Sequence, residues 1–74
     1  MIPAEKRVEK VFKKVFETDN FINLSRDVSP EWDSLKHIEL VLELEDEFVI
    51  EFTNSASIEI CNFDSCVKIL LEIL

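Results

Sequence analysis

The chain contains no glycine, and this absence most narrows what its 74 residues can fold into. Phosphate-binding loops and dinucleotide-binding motifs use glycine to bring the backbone close to a phosphate, and flexible linkers are rich in it. None of these elements is therefore expected. The two prolines, Pro3 and Pro30, lie where helices could begin, a position that tolerates proline. So short a chain predicts a single domain, residues 1–74, around one modest core.

The first segment has the apolar spacing of an amphipathic helix. From about Pro3 to Glu17 its apolar residues recur on one helical face, with lysines on the other side: Val8, Val11, Phe12, Val15 and Phe16. Residues 18–33 lose this periodicity and carry turn-forming Asp, Asn, Ser and Pro, so they predict a long loop. Phe21, Leu24 and Val28 are expected to pin that loop to the core.

Two further helices and one short helical turn are predicted after the loop. The second helix should run from about Ser34 to Val49, with Asp33 as its cap and a core face of Leu40, Val41, Leu44 and Phe48. A loop at 53–62 should contain a helical turn at 57–61. The last helix should run from Asn62 or Phe63 to the chain end, burying Phe63, Cys66, Val67, Leu70 and Leu74, with Ile69 and Ile73 beside them. The prediction is an all-α fold, a small four-helix bundle of three main helices and one short helix.

The second helix carries more apolar surface than a small monomer needs for its core. Leu35, Ile38 and Leu42 form a second strip that a monomer has little reason to bury completely. For Leu35 and Leu42, core packing and exposure are equally plausible. Beside it lies an acidic strip of Glu39, Glu43 and Asp46, which reads either as a solvated face or as a partner-binding face. The two strips together predict a docking surface.

The charge distribution restricts the classes of partner. The net charge is −8; residues 1–18 contribute +2 and residues 19–74 contribute −10. Such a field repels phosphate backbones and anionic lipid, so we expect no nucleic acid and no membrane as partner, and favour basic protein surfaces. No apolar run approaches the roughly 20 residues of a membrane span, and the first ten residues lack the apolar core of a signal peptide, so a cytoplasmic location is expected.

Metal binding and catalysis are not expected. Cys61 and Cys66 are spaced unlike zinc ligands, and the lone His37 adds no convincing third ligand, so free thiols are the better interpretation. With one histidine, no arrangement of catalytic partners and no cofactor loop, the chain does not read as an enzyme.

One stretch carries a family resemblance. Residues 29–48 read Ser-Pro-Glu-Trp-Asp-Ser-Leu-Lys-His-Ile-Glu-Leu-Val-Leu-Glu-Leu-Glu-Asp-Glu-Phe. This stretch resembles the phosphopantetheine-binding carrier proteins, which include the acyl carriers of fatty acid and polyketide synthesis and the peptidyl carriers of nonribosomal assembly. Their signature is an Asp-Ser-Leu at the start of the second helix, followed by an apolar and acidic helix that ends in Glu-Phe. Length, acidity and the helix pattern extend the resemblance over nearly the whole chain.

The resemblance implies a specific chemistry at Ser34. In this family a phosphopantetheinyl transferase moves 4'-phosphopantetheine from coenzyme A onto the serine hydroxyl, and acyl or aminoacyl groups ride on the thiol of that arm as thioesters. Ser34 would be the attachment residue, and Asp33 the acidic neighbour that helps the transferase to engage. The expected partners are that transferase and acyl-loading biosynthetic enzymes with basic surfaces, meeting a monomeric carrier. A helix N-terminus also favours an anionic phosphodiester.

The chain departs from the family pattern beside the attachment serine. Trp32 stands where many fatty acid carriers have glycine, and we interpret it as a packing anchor rather than a substrate contact. Lys36 and His37 stand where those carriers are often acidic or neutral; His37 could approach the phosphodiester or serve an exposed structural role. These departures favour a specialised pathway. Ser65 also follows an aspartate, but Cys66 rather than leucine comes directly after it, and no acidic helix follows.

Two functions therefore remain in view. The first is an acyl carrier that works through Ser34, for fatty acid, polyketide or other specialised biosynthesis. The alternative is an acidic helical adaptor or inhibitor that binds a basic protein without a prosthetic group and requires nothing of Ser34.

Overall fold

A computed structural model describes residues 3–74. Four α-helices follow one another: α1 (Ala4–Phe16), α2 (Ser34–Phe48), α3 (Asn54–Glu59) and α4 (Phe63–Ile73), with a short 3₁₀ helix at Phe21–Asn23. Across the described residues there is no β-strand, only one isolated bridge between Ser25 and Asn62. The predicted all-α fold of three longer helices and one short helix is confirmed.

Side-chain caps set where three of the helices begin. The Asp33 side chain accepts a hydrogen bond from the backbone of Lys36 at the start of α2, and Thr53 does the same for α3. Asn62 opens α4 with a reciprocal capping box. The short helix therefore lies at 54–59 rather than at the predicted 57–61, because Thr53 supplies its cap.

Phe12 is the centre of the core. Its ring is completely buried on α1 and lies 5.4 Å from the ring of Phe63 and 5.7 Å from that of Trp32, both nearly perpendicular to it. Phe21 and Phe16 complete the aromatic cluster around it. The members of this cluster come from α1, the loop and α4, so the cluster holds these three segments together. The same helix, α1, also packs against α2.

The predicted core is confirmed for most positions and corrected at a few. Phe21 and Leu24 pin the loop, but Val28 is 78% exposed, so its prediction is wrong. Hydrogen bonds from the backbone of Val28 and Ser29 to the Ser25 carbonyl close a turn here, and that turn leaves the Val28 side chain outside the core.

The ends of the apolar helix faces are less buried than predicted. Leu70 is fully buried, whereas Ile73 and Leu74 at the end of α4 are exposed. Val41 and Val67 are half-buried at the margins of the core. An apolar stripe is buried only as far as neighbouring elements cover it, and periodicity alone does not report that limit.

Charged contacts join the basic α1 to the acidic α2. Arg7 Nε lies 3.0 Å from Glu47 Oε2, and its guanidinium stacks 4.4 Å from the centre of the Phe48 ring. Lys14 Nζ lies 2.9 Å from Glu43 Oε2. The hydrogen bond from Arg7 holds the pKa of Glu47 below its usual value. Within residues 3–74, no helix is both long and apolar enough to cross a membrane.

Candidate functional site

Ser34 is the first residue of α2, and its side chain is exposed. Asp33 immediately before it has an extended backbone, and its Oδ1 accepts the Lys36 backbone N–H at 2.9 Å. This cap satisfies one of the otherwise unpaired N–H groups at the helix start. Over residues 3–74, no hydrogen bond occupies the Ser34 hydroxyl. The hydroxyl is therefore exposed at a capped helix terminus.

Trp32 anchors the backbone on which Ser34 sits. Its side chain is buried, and its ring stacks on that of His37, with 6.3 Å between ring centres. The indole Nε1–H donates to His37 Nδ1 at 3.1 Å. The interpretation of Trp32 as a packing anchor fits this burial. His37, in contrast, is half-buried and bonded on both sides rather than exposed.

The contacts of His37 define its protonation state. The indole nitrogen of Trp32 is only a donor, so His37 Nδ1 must accept and carries no proton. His37 Nε2 therefore carries the proton and donates to the Ser57 carbonyl at 2.9 Å. Burial lowers the pKa of His37, the Ser57 contact opposes that shift, and the neighbouring Arg26 charge adds to it. The imidazole is neutral at pH 7.

Arg26 connects the loop to α3 beside this imidazole. Its Nη2 donates to the Ile58 carbonyl at 2.7 Å, and its backbone N–H donates to the Cys61 carbonyl at 2.9 Å. Its Nη1 lies 3.2 Å from His37 Nε2, which as a donor offers no lone pair to it. The guanidinium is thus fixed in place close to the first turn of α2.

An open groove of about 540 Å³ lies beside Ser34. The groove lies between the first turn of α2 and the loop, and it is lined by Arg26, Trp32, Asp33, Ser34, His37 and Ile38. The predicted attachment pair of Asp33 and Ser34 therefore borders a groove that contains one cationic side chain. Arg26 was not among the predicted site residues, because nothing in the Ser-Arg-Asp sequence around it indicates a site. The one feature of the sequence that could have pointed to it is that no other residue of the loop is basic.

The second apolar strip of α2 is open to solvent. Leu35, Ile38 and Leu42 are 67%, 57% and 59% exposed, so the core alternative for Leu35 and Leu42 is wrong. Three large apolar side chains on successive turns of one helix face form a continuous surface that begins next to Ser34.

The acidic strip is divided between internal and external contacts. Glu43 is half-buried and paired with Lys14, whose pKa is raised by the hydrogen bond and charge of Glu43. Glu39 lies 3.4 Å from Lys36, and Asp46 is exposed. Lys36 itself donates to the Val15 carbonyl at the end of α1. Within this strip, Asp46 and Glu39 are thus the more exposed carboxylates.

Ser65 and the cysteines occupy structural positions. The Ser65 hydroxyl accepts from the Cys61 and Asn62 backbone N–H groups and donates to the Asn62 carbonyl. That hydroxyl is therefore engaged in the capping box of α4, unlike that of Ser34. Both cysteines are free, and burial raises the pKa of the Cys66 thiol to about 12. No cluster of metal-ligating side chains occurs between residues 3 and 74.

Comparison of the chain with models of known protein families, with curated proteins and with solved structures finds no match.

Proposed function

We propose that this chain is an acyl carrier protein that bears a 4'-phosphopantetheine arm on Ser34. The observation that carries the proposal is the state of the Ser34 hydroxyl: exposed, without an internal partner, and held at the start of α2 by the Asp33 cap. The other serine that follows an aspartate, Ser65, has its hydroxyl committed to the backbone. The resemblance of residues 29–48 to carrier proteins supports the same assignment.

The modification is a phosphoryl-group transfer that the position accommodates. The Ser34 oxygen attacks the phosphorus that bears the pantetheine of coenzyme A, and the transferase accepts the hydroxyl proton. The pyrophosphate P–O bond breaks, and 3',5'-ADP leaves. The product is a phosphodiester with one negative charge at a helix N-terminus, where the macrodipole stabilises an anion by about 0.3–1 kcal/mol. Magnesium and the transferase supply the rest of the catalytic chemistry.

The exposed strip of α2 supplies a docking surface for the transferase and for acyl-loading enzymes. Leu35, Ile38 and Leu42 offer an apolar centre, and Glu39 and Asp46 offer carboxylates at its margin. An apolar centre with a polar rim is the usual composition of a transient interface, and the negative charge steers basic enzyme surfaces toward it. The order of three long helices and one short helix, with a long first loop, also fits the carrier-protein fold.

Intact mass measurement tests the proposal. The purified chain is incubated with coenzyme A, magnesium and a broad-specificity phosphopantetheinyl transferase, beside Ser34→Ala and Ser65→Ala variants whose helical circular dichroism is checked first. We expect the mass of one phosphopantetheine group on the parent and on Ser65→Ala, and none on Ser34→Ala. Addition to Ser34→Ala would place the arm elsewhere, and an unmodified but folded parent would refute the carrier function.

The second candidate is the acidic adaptor that binds a basic protein without a prosthetic group. The same exposed apolar strip favours it, since that strip would serve a binding protein regardless of Ser34. An unmodified parent in the mass experiment would favour this function. Loss of partner binding in a Leu35→Ser or Leu42→Ser variant, with Ser34→Ala unaffected, would then support it.

A further inference from the structure

Arg26 is a rigidly held cation in a protein dominated by acids. The chain has 16 acidic and 8 basic side chains. Within residues 3–74, the ion pairs are formed by Lys6, Arg7, Lys10, Lys14 and Lys36, and none includes Arg26. Instead, Arg26 is half-buried and tied to the carbonyl of Ile58 on α3 at 2.7 Å. Because no carboxylate of the described residues neutralises this anchored guanidinium, its positive charge is available to bind an anion.

Arg26 has side-chain N–H groups beyond the one that bonds α3. A guanidinium has five N–H donors, and the Ile58 carbonyl occupies one of them. The neighbouring His37 Nε2 is itself a donor to Ser57 and accepts nothing from Arg26. Arg26 lines the open groove beside Ser34, so an anion in that groove lies next to its guanidinium. Arginine suits phosphate oxygens because two parallel N–H groups can bond them together.

His37 is the α2 residue that lies next to this cation. His37 lies three residues after Ser34, so the two side chains are about one turn apart on the same side of α2. Its ring is clamped between the Trp32 indole and the Ser57 carbonyl, and Arg26 Nη1 lies 3.2 Å from it. The guanidinium is thus held by α3 and the loop, next to an imidazole that α2 carries.

We infer that Arg26 is a positioning residue that binds the phosphodiester of the arm on Ser34. The inference rests on the proposed carrier function and deepens it. One nonbridging phosphate oxygen accepts from Arg26, and the first carbon atoms of the pantetheine lie along the groove against Ile38. The arm then leaves Ser34 in a fixed direction instead of swinging freely from the helix end.

Phosphorus NMR of the loaded chain tests the inference. The parent, Arg26→Gln and the control Lys68→Gln, which makes the same charge change on exposed α4, are each loaded with the transferase and checked by intact mass. The reference for each is its own phosphorus resonance in urea. We expect the folded parent and Lys68→Gln to show the same displacement from the urea position, and Arg26→Gln to lose most of it. A merely structural Arg26 would leave the displacement unchanged, and equal displacement in all three proteins would overturn the inference.

A direct measurement on the parent covers the case in which Arg26→Gln does not fold. In the ¹⁵N-labelled parent, the Arg26 side-chain Nε–H resonance should move on loading, while that of Arg7 stays in place. If intact mass shows that the chain is loaded and the Arg26 resonance has not moved, the inference about Arg26 is overturned while the carrier function stands. A parent that takes up no phosphopantetheine would instead overturn the carrier function, and the inference with it.

Discussion

Val49→Gly is expected to stabilise the protein, because Val49 is a β-branched residue held in a left-handed backbone conformation. It ends α2 with φ 53° and ψ 54°, and its N–H, like that of Ile50, donates to the Glu45 carbonyl. Such a helix end is usually occupied by glycine, which has no Cβ to clash with the carbonyl oxygen. The chain has no glycine anywhere, so it accepts this strain.

The magnitude follows from three opposing contributions. Left-handed geometry costs a residue with a Cβ about 1–2 kcal/mol, and β-branching puts valine near the upper limit. Glycine adds unfolded-state entropy worth about 0.7 kcal/mol. The Val49 side chain is 89% exposed, so removing it sacrifices only about 0.2 kcal/mol of apolar burial. The net gain is about 1 kcal/mol, or about 4–8 °C in melting temperature for a domain of this size.

Urea unfolding at constant m value measures the change. Val49→Ala is the matched control, because it removes the branched side chain but keeps the Cβ. Glu17→Gly is the second control: Glu17 has φ 53° without a β-branch, so its gain should be smaller. A Val49→Gly midpoint at or below that of Val49→Ala would refute the reasoning, since relief of the Cβ clash would then be no larger than the entropy cost of glycine.

Three further predictions concern the site and the core. The folded pKa of His37 lies below the ordinary 6.5, so the unfolded chain binds more protons; unfolding free energy should fall as pH drops below about 6.5, and His37→Gln should flatten that slope in urea titrations from pH 5 to 8. Asp33→Ala should cost about 0.5–2 kcal/mol in urea unfolding through the lost cap, whereas Asp33→Asn should keep most stability and load more slowly; equal stability losses would contradict the capping role. Phe12→Ala should cost about 3–5 kcal/mol, enough to abolish a cooperative thermal transition by circular dichroism, and a retained sharp transition would contradict its central place.

Local sequence was sufficient to predict the three longer helices and the cap of α2. Spacing of three and four placed Val8, Val11, Phe12 and Val15 on the buried face of α1, because helical geometry brings such residues to one side wherever the helix packs. The Asp33 cap was predictable for the same reason: its hydrogen bond to Lys36 spans three residues. Ser34 was predicted as the attachment residue from the motif around it, and that assignment stays a prediction; its side chain is exposed.

Patterns within one segment were insufficient wherever burial depends on another segment. Both strips of α2 have the spacing of a helix face, yet Leu40 and Leu44 are buried, whereas Leu35 and Leu42 are exposed. Val28 is apolar and was expected to pack into the core, but its side chain lies on the outside of a turn. Periodicity tells which residues share a face, and only the packing of neighbouring elements decides which face is covered.

The sequence by itself determined an acidic all-α chain with an Asp-Ser helix start, because helix periodicity and capping act over three or four residues. The tertiary structure alone decided the surroundings of Ser34. Arg26 meets the carbonyl of Ile58, 32 residues away, and His37 meets that of Ser57, 20 residues away. Tertiary packing also pairs Glu43 with Lys14, 29 residues away, so the Glu43 carboxylate of the acidic strip is already engaged within the protein. Contacts at these separations depend on how the helices pack, and the pairing of a charge or the protonation of a histidine follows from them.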